Sequence, residues 1–528
     1  MKLVRSYFQN FSIGKLVFLY ALFSSIFLNF NFSERLINWI VSNNLSYLYL
    51  IQTLILVFLF NLLIATIFVF NRAAKFLITI FLLIAVLSSY FIDTYSVVIN
   101  EQMLLNVLET NLSETKDLIS LSFFSYLFFF FLFPVFLLKK IDISFNSWIS
   151  RKKQQAMLFL SSLLAIILIL YFSSSFYMPY FREQKESINY FANPINTFSA
   201  FVNLVRHMEI FSPNIEHKVI GLDATINRIG KNKIHIMIVG ETARADHFSL
   251  NGYTKNTNPL LSKKENLISY PNVESCGTLT RISVPCMFSI ENREQFDVSS
   301  SKHQDNVIDI LKRSGVYVLW KDNNSSSKDV ANRVDYLSIK DSCNGECRDV
   351  ELIKDLDQLI DDKKNSDILI VLHPMGSHGP AYFKRVPESF KKFLPECRTN
   401  QFNECKNQEV ENAYDNTILY TDYFINSSID FLSQYKDRFD VSLLYISDHG
   451  ESLGEKGVYL HGLPYYFAPK AQKHVPMIYW SPSINKEKFN IIKKKSKMQL
   501  SHDFIFHSLL GIFDVKTKIY NGKFDFLK

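Results

Sequence analysis

The first third of the chain repeats one pattern, in which a long apolar run is followed by a short polar break and then by another apolar run. Residues 14–32, 46–70, 76–92, 121–138 and 156–175 each approach or exceed the roughly 20 apolar residues that cross a bilayer. Backbone at that depth must satisfy its own hydrogen bonds, so each run is expected to be a helix. Residues 1–175 are therefore expected to form a five-helix N-terminal transmembrane domain. The first run lacks a small-residue cleavage site and is followed by further runs, so it is read as a span and not as a signal peptide.

The cations between the runs set an expected orientation. Lys2, Arg5 and Lys15 precede the first run, Arg72 and Lys75 separate the second and third, and Lys139, Lys140, Arg151, Lys152 and Lys153 separate the fourth and fifth. The other two loops carry few cations, mainly Arg35 and Lys116. The N-terminus is thus expected in the cytoplasm, and five crossings place the C-terminal part outside. Much of the net charge of +7 lies beside these runs. Lys and Arg gather in no aromatic-studded patch, which argues against a nucleic-acid partner.

The cysteines agree with that side. All six lie beyond residue 270 and fall into close pairs: Cys276 with Cys286, Cys343 with Cys347, and Cys397 with Cys405. Local disulfides in an oxidising compartment are the favoured reading. A zinc–cysteine cluster is the alternative, but the repeated CxxC spacing it needs is missing.

Residues 176–215 form a bridge dotted with Tyr177, Tyr180, Phe181, Tyr190, Phe191, Phe198 and Phe201. Such aromatics suit either the membrane interface or an ordinary packed linker helix. Over 216–528 the pattern changes to short apolar runs separated by helical-length stretches. The runs Ile234–Val239, Val316–Trp320, Ile368–Leu372, Leu443–Ile446 and Pro476–Trp480 predict an α/β domain with a mostly parallel sheet covered on both faces.

Polar clusters follow four of these runs: Gly240-Glu241, Lys321 to Asn324, His373 to His378, and Ser447 to Gly450. Ligands of open α/β sheets bind outside the carboxyl ends of the strands, so these clusters are expected to converge on one site. Glu241, Asp448 and His449 are oxygen and nitrogen donors suited to zinc. Any one of them alone reads equally well as a cap or a loop ion pair. A second element, Cys276-Gly-Thr-Leu-Thr280 through Pro285-Cys286, places Thr280 in a loop that a disulfide would close. A threonine hydroxyl is a weak nucleophile until a base or a metal activates it.

Longer motifs carry a resemblance. Gly240-Glu-Thr-Ala-Arg-Ala-Asp-His-Phe-Ser-Leu-Asn-Gly-Tyr253 resembles the first signature of the lipid A phosphoethanolamine transferases, the enzymes of intrinsic and mobile polymyxin resistance. Ser275 to Ser289 resembles their nucleophile loop, and Ser447 to Glu455 with Tyr459-Leu-His-Gly462 resembles their metal motif and downstream histidine. Trp320 to Lys328 and His373 to Pro380 fit as well. Several long motifs in order over nearly the whole chain are far more specific than one short pattern.

The resemblance implies an alkaline-phosphatase-like, sulfatase-like periplasmic domain on a multi-pass inner-membrane anchor. It implies one tightly bound Zn2+, with a second considered, held by Glu241, Thr280, Asp448 and His449. Thr280 would be the nucleophile, and His378 and His461 would bind the phosphoryl group, move protons or hold the second ion. Asn324, Ser325, Lys328 and Glu451 would line the substrate site. Asn106, Thr110 and Glu114 match donor-binding positions, and their i, i+4, i+8 spacing puts them on one face of a helix. Phosphatidylethanolamine would be the donor and lipid A the acceptor, with the enzyme a monomer. Another periplasmic acceptor, such as lipopolysaccharide core or a glucan, is the nearest alternative. A lipoteichoic-type polymerase fits the paired cysteines poorly. A hydrolase of the sulfatase type would need a Cys/Ser-x-Pro-x-Arg element, which is missing around Thr280. A non-catalytic tethered protein would not need the full donor set. The chain departs from the family pattern at Leu279 and Arg281, where small residues are common, and this bears on acceptor preference.

Overall fold

The structure, a computed structural model, describes residues 11–109, 115, 118–144, 147–183, 188–207, 216–226, 230–343 and 347–528. Packing divides the chain into two units, one of residues 1–108 and 119–208, the other of residues 109–118 and 209–528.

The first unit is helical. Four helices are long and apolar enough to cross a membrane: Tyr47–Val69, Ala74–Tyr95, Leu121–Lys140 and Trp148–Phe172. The run expected as the first span is instead broken, with Ile13–Phe27 and Phe30–Ser42 bent by 59°. Asn29 lies in the break, where its side-chain amide donates to Ser24 O at 2.9 Å, a carbonyl that also accepts from Leu28 N, and to Asn193 O at 2.7 Å. The second half of the pair is also less apolar, carrying Asn31, Glu34, Arg35 and Asn38, with Phe32, Leu36 and Ile40 buried at helical spacing. The helix Leu121–Lys140 contains a π-helical turn over Phe128–Leu132. The bridge aromatics pack within this unit: Phe176 stacks on Tyr49 at 3.9 Å, and Tyr177 and Tyr180 are buried.

The second unit is built on an eight-stranded sheet. Its strands are β1 (Lys233–Gly240), β2 (Leu267–Glu274), β3 (Val316–Asp322), β4 (Asp335–Ser338), β5 (Asp367–His373), β6 (Asp440–Ser447), β7 (His474–Trp480) and β8 (Leu500–Ser501). Their spatial order is β8-β2-β7-β6-β1-β5-β3-β4. Strand β7 runs antiparallel to both its neighbours, and the other pairs are parallel, so the sheet is mixed but mostly parallel. The run Pro476–Trp480 is thus a strand, but an antiparallel one.

Every residue of β5 is buried, as a strand covered on both faces requires. Met237, Val239, Leu444 and Ile446 enter one core cluster with Val284, Phe288, Ile308 and Leu509 from the helices Thr280–Phe288, Val307–Arg313 and Asp503–Ile512. The long helix Asn407–Ser433 packs against β1 and β6. Gly240 pairs with Ser447, and Asp322 with His373, so the carboxyl ends of these four central strands finish level. That alignment positions the site.

Three disulfides close Cys276–Cys286, Cys343–Cys347 and Cys397–Cys405 over separations of 10, 4 and 8 residues. No described cysteine is left free.

Candidate active site

Strand β1 ends in Gly240 and delivers Glu241. Strand β6 ends in Ser447 and delivers Asp448 and His449. All three side chains are buried. The turn after β6 passes so close to Ala471 that a Cβ at Gly450 would lie 2.0 Å from its carbonyl oxygen, so only glycine fits. Gly376, at φ +52°, likewise lets the loop after β5 pass within 2.8 Å of Glu241 O, as measured to an added Cβ. Thr280 opens the helix Thr280–Phe288, where the positive end of the helix dipole favours a developing negative charge.

These groups converge. Thr280 Oγ1 lies 3.3 Å from Glu241 Oε2 and 3.3 Å from His449 Nε2. His449 Nε2 lies 3.3 Å from Asp448 Oδ2 and 3.6 Å from Glu241 Oε1. One ligand atom each from Glu241, Asp448 and His449 falls within 4.8 Å of the others. His449 Nδ1 faces Gly450 O at 3.0 Å, which assigns the ring proton to Nδ1 and leaves the Nε2 lone pair facing two carboxylates. Asp448 Oδ2 is buried and accepts no hydrogen bond. A buried carboxylate oxygen without a donor is costly unless a cation completes it. The residues therefore fit a divalent metal ion, with lone pairs of three residues and the Thr280 hydroxyl turned toward one point.

The surrounding groups fix that arrangement. Asp448 Oδ1 accepts from Thr242 N at 3.1 Å and from its neighbour His449 N at 2.7 Å. Asn324 Nδ2 donates to Glu241 Oε2 at 2.7 Å, and the Thr242 hydroxyl donates to Glu241 Oε1. Burial pushes the Asp448 carboxyl up, and the charge of Glu241 adds to it, to about 6. Burial acts on Glu241 too, but the imidazoles of His449, His378 and His461 outweigh it and hold this carboxyl below its ordinary range. Burial lowers His449, and the charges of Asp448 and Glu241 reverse the direction. The site thus demands positive charge, from a proton or from a metal.

A second group of side chains borders the first. The His461 ring centre is 4.3 Å from that of His449 and 5.6 Å from that of His378. His461 Nδ1 faces Glu451 Oε2 at 2.8 Å, and Tyr382 donates to Glu451 Oε1 at 2.7 Å. Burial pushes Glu451 up to about 8, so near neutrality this carboxyl retains its proton.

A family model described as Sulfatase matches residues 233–515, and one described as Phosphoethanolamine transferase EptA/EptB matches residues 56–208. Phosphatidylethanolamine transferase Mcr-2 of Escherichia coli is 39% identical over 94% of this chain and 94% of its own length. The chain belongs to the phosphoethanolamine transferase family. Phosphoethanolamine transferase EptA of Escherichia coli K12 is 38% identical, over 85% of this chain and 84% of its own. The solved integral membrane lipooligosaccharide phosphoethanolamine transferase A of Neisseria meningitidis superposes with a TM-score of 0.93 at 31% identity, covering 98% of each chain. The fold thus stands within the alkaline phosphatase and sulfatase superfamily.

In this transferase fold the residues singled out by sequence fall as follows. Glu241, Thr280, Asp448 and His449 come together, with Asn324, Glu451, His378 and His461 around them. Lys328, at φ +51°, reaches back to Ser325, its Nζ donating to Ser325 O and Oγ at 3.0 Å each. Arg281 is 6% exposed and lines a cleft with Lys302, Lys328 and Asp329, while Leu279 is buried. Asn106 lies in the helix Glu101–Glu109, whereas Thr110 and Glu114 lie outside the described residues.

Thr242 and Tyr382 are contributors to which the sequence pattern assigns no role. Thr242 reaches both carboxylates, through its hydroxyl and its backbone N–H. Asp322 and His373, at two level strand ends, are joined at 3.0 Å, and both lie in runs already marked as strand-end clusters. Tyr382 meets Glu451 from a segment without any motif.

Proposed function

We propose that the protein transfers phosphoethanolamine from phosphatidylethanolamine to a phosphate of lipid A, with Thr280 as the covalent carrier. One observation carries this reading: the Thr280 hydroxyl sits 3.3 Å from both Glu241 and His449, at a helix N-terminus, inside a buried donor cluster. Membership of the phosphoethanolamine transferase family supplies the group transferred, and the apolar helices supply access to lipids.

Glu241, Asp448, His449 and Thr280 would hold one Zn2+, which would lower the pKa of the threonine hydroxyl and neutralise charge on the donor phosphate. The Thr280 hydroxyl releases its proton to solvent, Thr280 Oγ attacks the donor phosphorus in line, and the bond from phosphorus to the diacylglycerol oxygen breaks. That oxygen leaves with the electron pair and takes a proton from His461 or His378. His461 is oriented for this by Glu451, and the residue of phosphoethanolamine stays on Thr280. An oxygen of the lipid A phosphate then attacks the same phosphorus, and Thr280 Oγ leaves. Asn324, Ser325 and Lys328 steady the phosphoryl oxygens, the main requirement of phosphoryl transfer. Asn106, Thr110 and Glu114 bind the donor head group. The membrane unit confines enzyme and donor to one thin layer, which raises effective concentration.

In this reading the bent pair counts as one of five spans, the N-terminus is cytoplasmic and the catalytic domain, residues 216–528, is periplasmic. Capping a phosphate with a cationic amine lowers negative surface charge and so favours resistance to polymyxins. Mass spectrometry of lipid A from cells expressing wild type or Thr280→Ala tests this. A phosphoethanolamine increment with wild type alone is expected. Increments with both proteins overturn Thr280 as carrier. No increment with either, while core sugars or glucans gain one, moves the acceptor.

A further inference from the structure

The threonine loop and the strand end bearing Asp448 and His449 come from distant parts of the chain, yet Thr280 must sit within a fraction of an ångström of its partners. The loop itself is well tied. The Cys276–Cys286 disulfide closes it, Gly277 N donates to Ser283 Oγ at 2.9 Å, and Thr278 Oγ1 donates to Leu463 O at 2.6 Å. Ser275 N donates to Lys473 O at 2.8 Å, and the Tyr465 hydroxyl donates to Ser275 O at 2.9 Å. These bonds shape the loop and hold it to the segments after β6, but none of them reaches the end of β6 itself.

One side chain does, and it belongs to neither motif. His502, 0% exposed, sits between β8 and the helix Asp503–Ile512. Its Nδ1 accepts from Cys276 N at 3.1 Å, and its Nε2 faces Ser447 O at 3.0 Å. A backbone N–H at one end and a carbonyl at the other permit one tautomer: Nδ1 accepts and Nε2–H donates. Both ring nitrogens are therefore used. Ser447 is itself a junction, since its hydroxyl accepts from Ala243 N at 2.8 Å and donates to His449 O at 3.0 Å. Burial lowers the His502 imidazole to about 3, so it stays neutral, as a ring that both accepts and donates must.

We propose that His502 is a positioning residue for the transfer reaction, a neutral two-ended strut that sets the spacing between the nucleophile loop at Cys276 and the metal-ligand strand end at Ser447. It touches no substrate. This inference rests on the proposed role of Thr280, and its test has a readout that does not.

The experiment uses the full-length protein in detergent or nanodiscs, as wild type, His502→Gln and His502→Leu. Glutamine carries one acceptor and one donor and can restore both bonds, whereas leucine keeps the volume and restores neither. Hydrogen–deuterium exchange over residues 275–281, cleavage of fluorescent phosphatidylethanolamine, zinc content and thermal midpoint are measured together. Leucine is expected to speed exchange in 275–281 and lower kcat by about 100-fold, the order of loss that follows a small misplacement of reacting groups. KM and zinc content are expected to stay within about twofold, and glutamine to return exchange and kcat to near wild type. Wild-type exchange in the leucine variant overturns the strut, whatever its activity. Exchange that rises throughout the domain with a large fall in thermal midpoint also overturns it, in favour of a plain core residue. Equal loosening by glutamine and leucine overturns it too. If wild type cleaves no phosphatidylethanolamine but the exchange pattern appears, the strut stands and the substrate reading falls.

Discussion

The two units bury polar side chains for opposite reasons. In the helical unit, apolar side chains cover the outside: Phe129 is 63% exposed and Leu160 61%. Its buried polar groups, such as Asn29, Asn61 and Asn193, join helices to one another. In the sheet unit the apolar side chains are inside, and the buried polar groups crowd the level ends of four strands. Asn29 bonds the backbone carbonyl and N–H of Asn193, and the buried atom left over there, Asn193 Oδ1, is a neutral amide oxygen. Asp448 Oδ2 is a buried carboxylate oxygen without a donor beside the charge of Glu241, and electrostatic tension of that kind marks chemistry more than stability. The same two-class division predicts different answers to the same substitution experiment.

The largest expected effect is at Asp448. Asp448→Asn removes a ligand charge and offers an N–H where a cation should sit. Turnover is expected to fall by about 1,000-fold or more, since activation of the threonine is lost. Zinc content, measured by mass spectrometry of metals, is expected to fall with it. The metal-free variant should nevertheless melt no lower than metal-free wild type, because burial and Glu241 already disfavour the Asp448 charge. A metal-free variant that melts well below metal-free wild type would mean that Asp448 is structural, and the comparison would break.

This contrast explains what could be read from the sequence. Apolar runs without charge dictate helices in lipid, so the helices from Tyr47 onward followed directly. The bend within the first run is not legible, because the partner that Asn29 meets there, Asn193, lies 164 residues away in the chain. Strand ends were legible because apolar runs stop abruptly at Glu241, His373 and Asp448. The antiparallel direction of β7 was not, since a buried strand reads alike in both directions. Within the site, motif residues stood out by type and position. Thr242 and Tyr382 did not, because hydroxyls serve turns and cores just as often, and their role appears only when distant segments meet.

Acid should sharpen the contrast further. His235 and His502 are fully buried, and burial lowers each from 6.5 to about 3. Between those values the unfolded chain binds protons that the folded domain refuses. Their contribution is therefore intact above pH 6.5 and is lost as the pH falls toward 3. Each histidine should give a slope of about 1.4 kcal/mol per pH unit in that window. Denaturation of full-length protein at pH 7 and below checks this, and His235→Gln should flatten the slope by one such increment. A slope unchanged by the substitution would show that His235 is protonated in the fold.

The smallest effect is expected in the helical unit and runs opposite to the first. Asn29 Oδ1 accepts from Asn193 N at 2.8 Å, and Asn193 Nδ2 returns to Leu28 O at 3.1 Å and Ala85 O at 2.7 Å. Asn29→Ala strands the backbone N–H and carbonyl of Asn193 in an apolar interior. Hydrogen bonds between membrane helices contribute about 0.6 kcal/mol on average and at most about 1.7, so a loss of about 1–2 kcal/mol is expected. Turnover per folded molecule should stay within about twofold, because no group in the donor cluster has changed. The unfolding midpoint in detergent and the specific activity of the surviving folded fraction separate the two quantities. A variant with normal stability and poor turnover would place Asn29 among the chemical residues, and the division between glue and chemistry would no longer follow the two units.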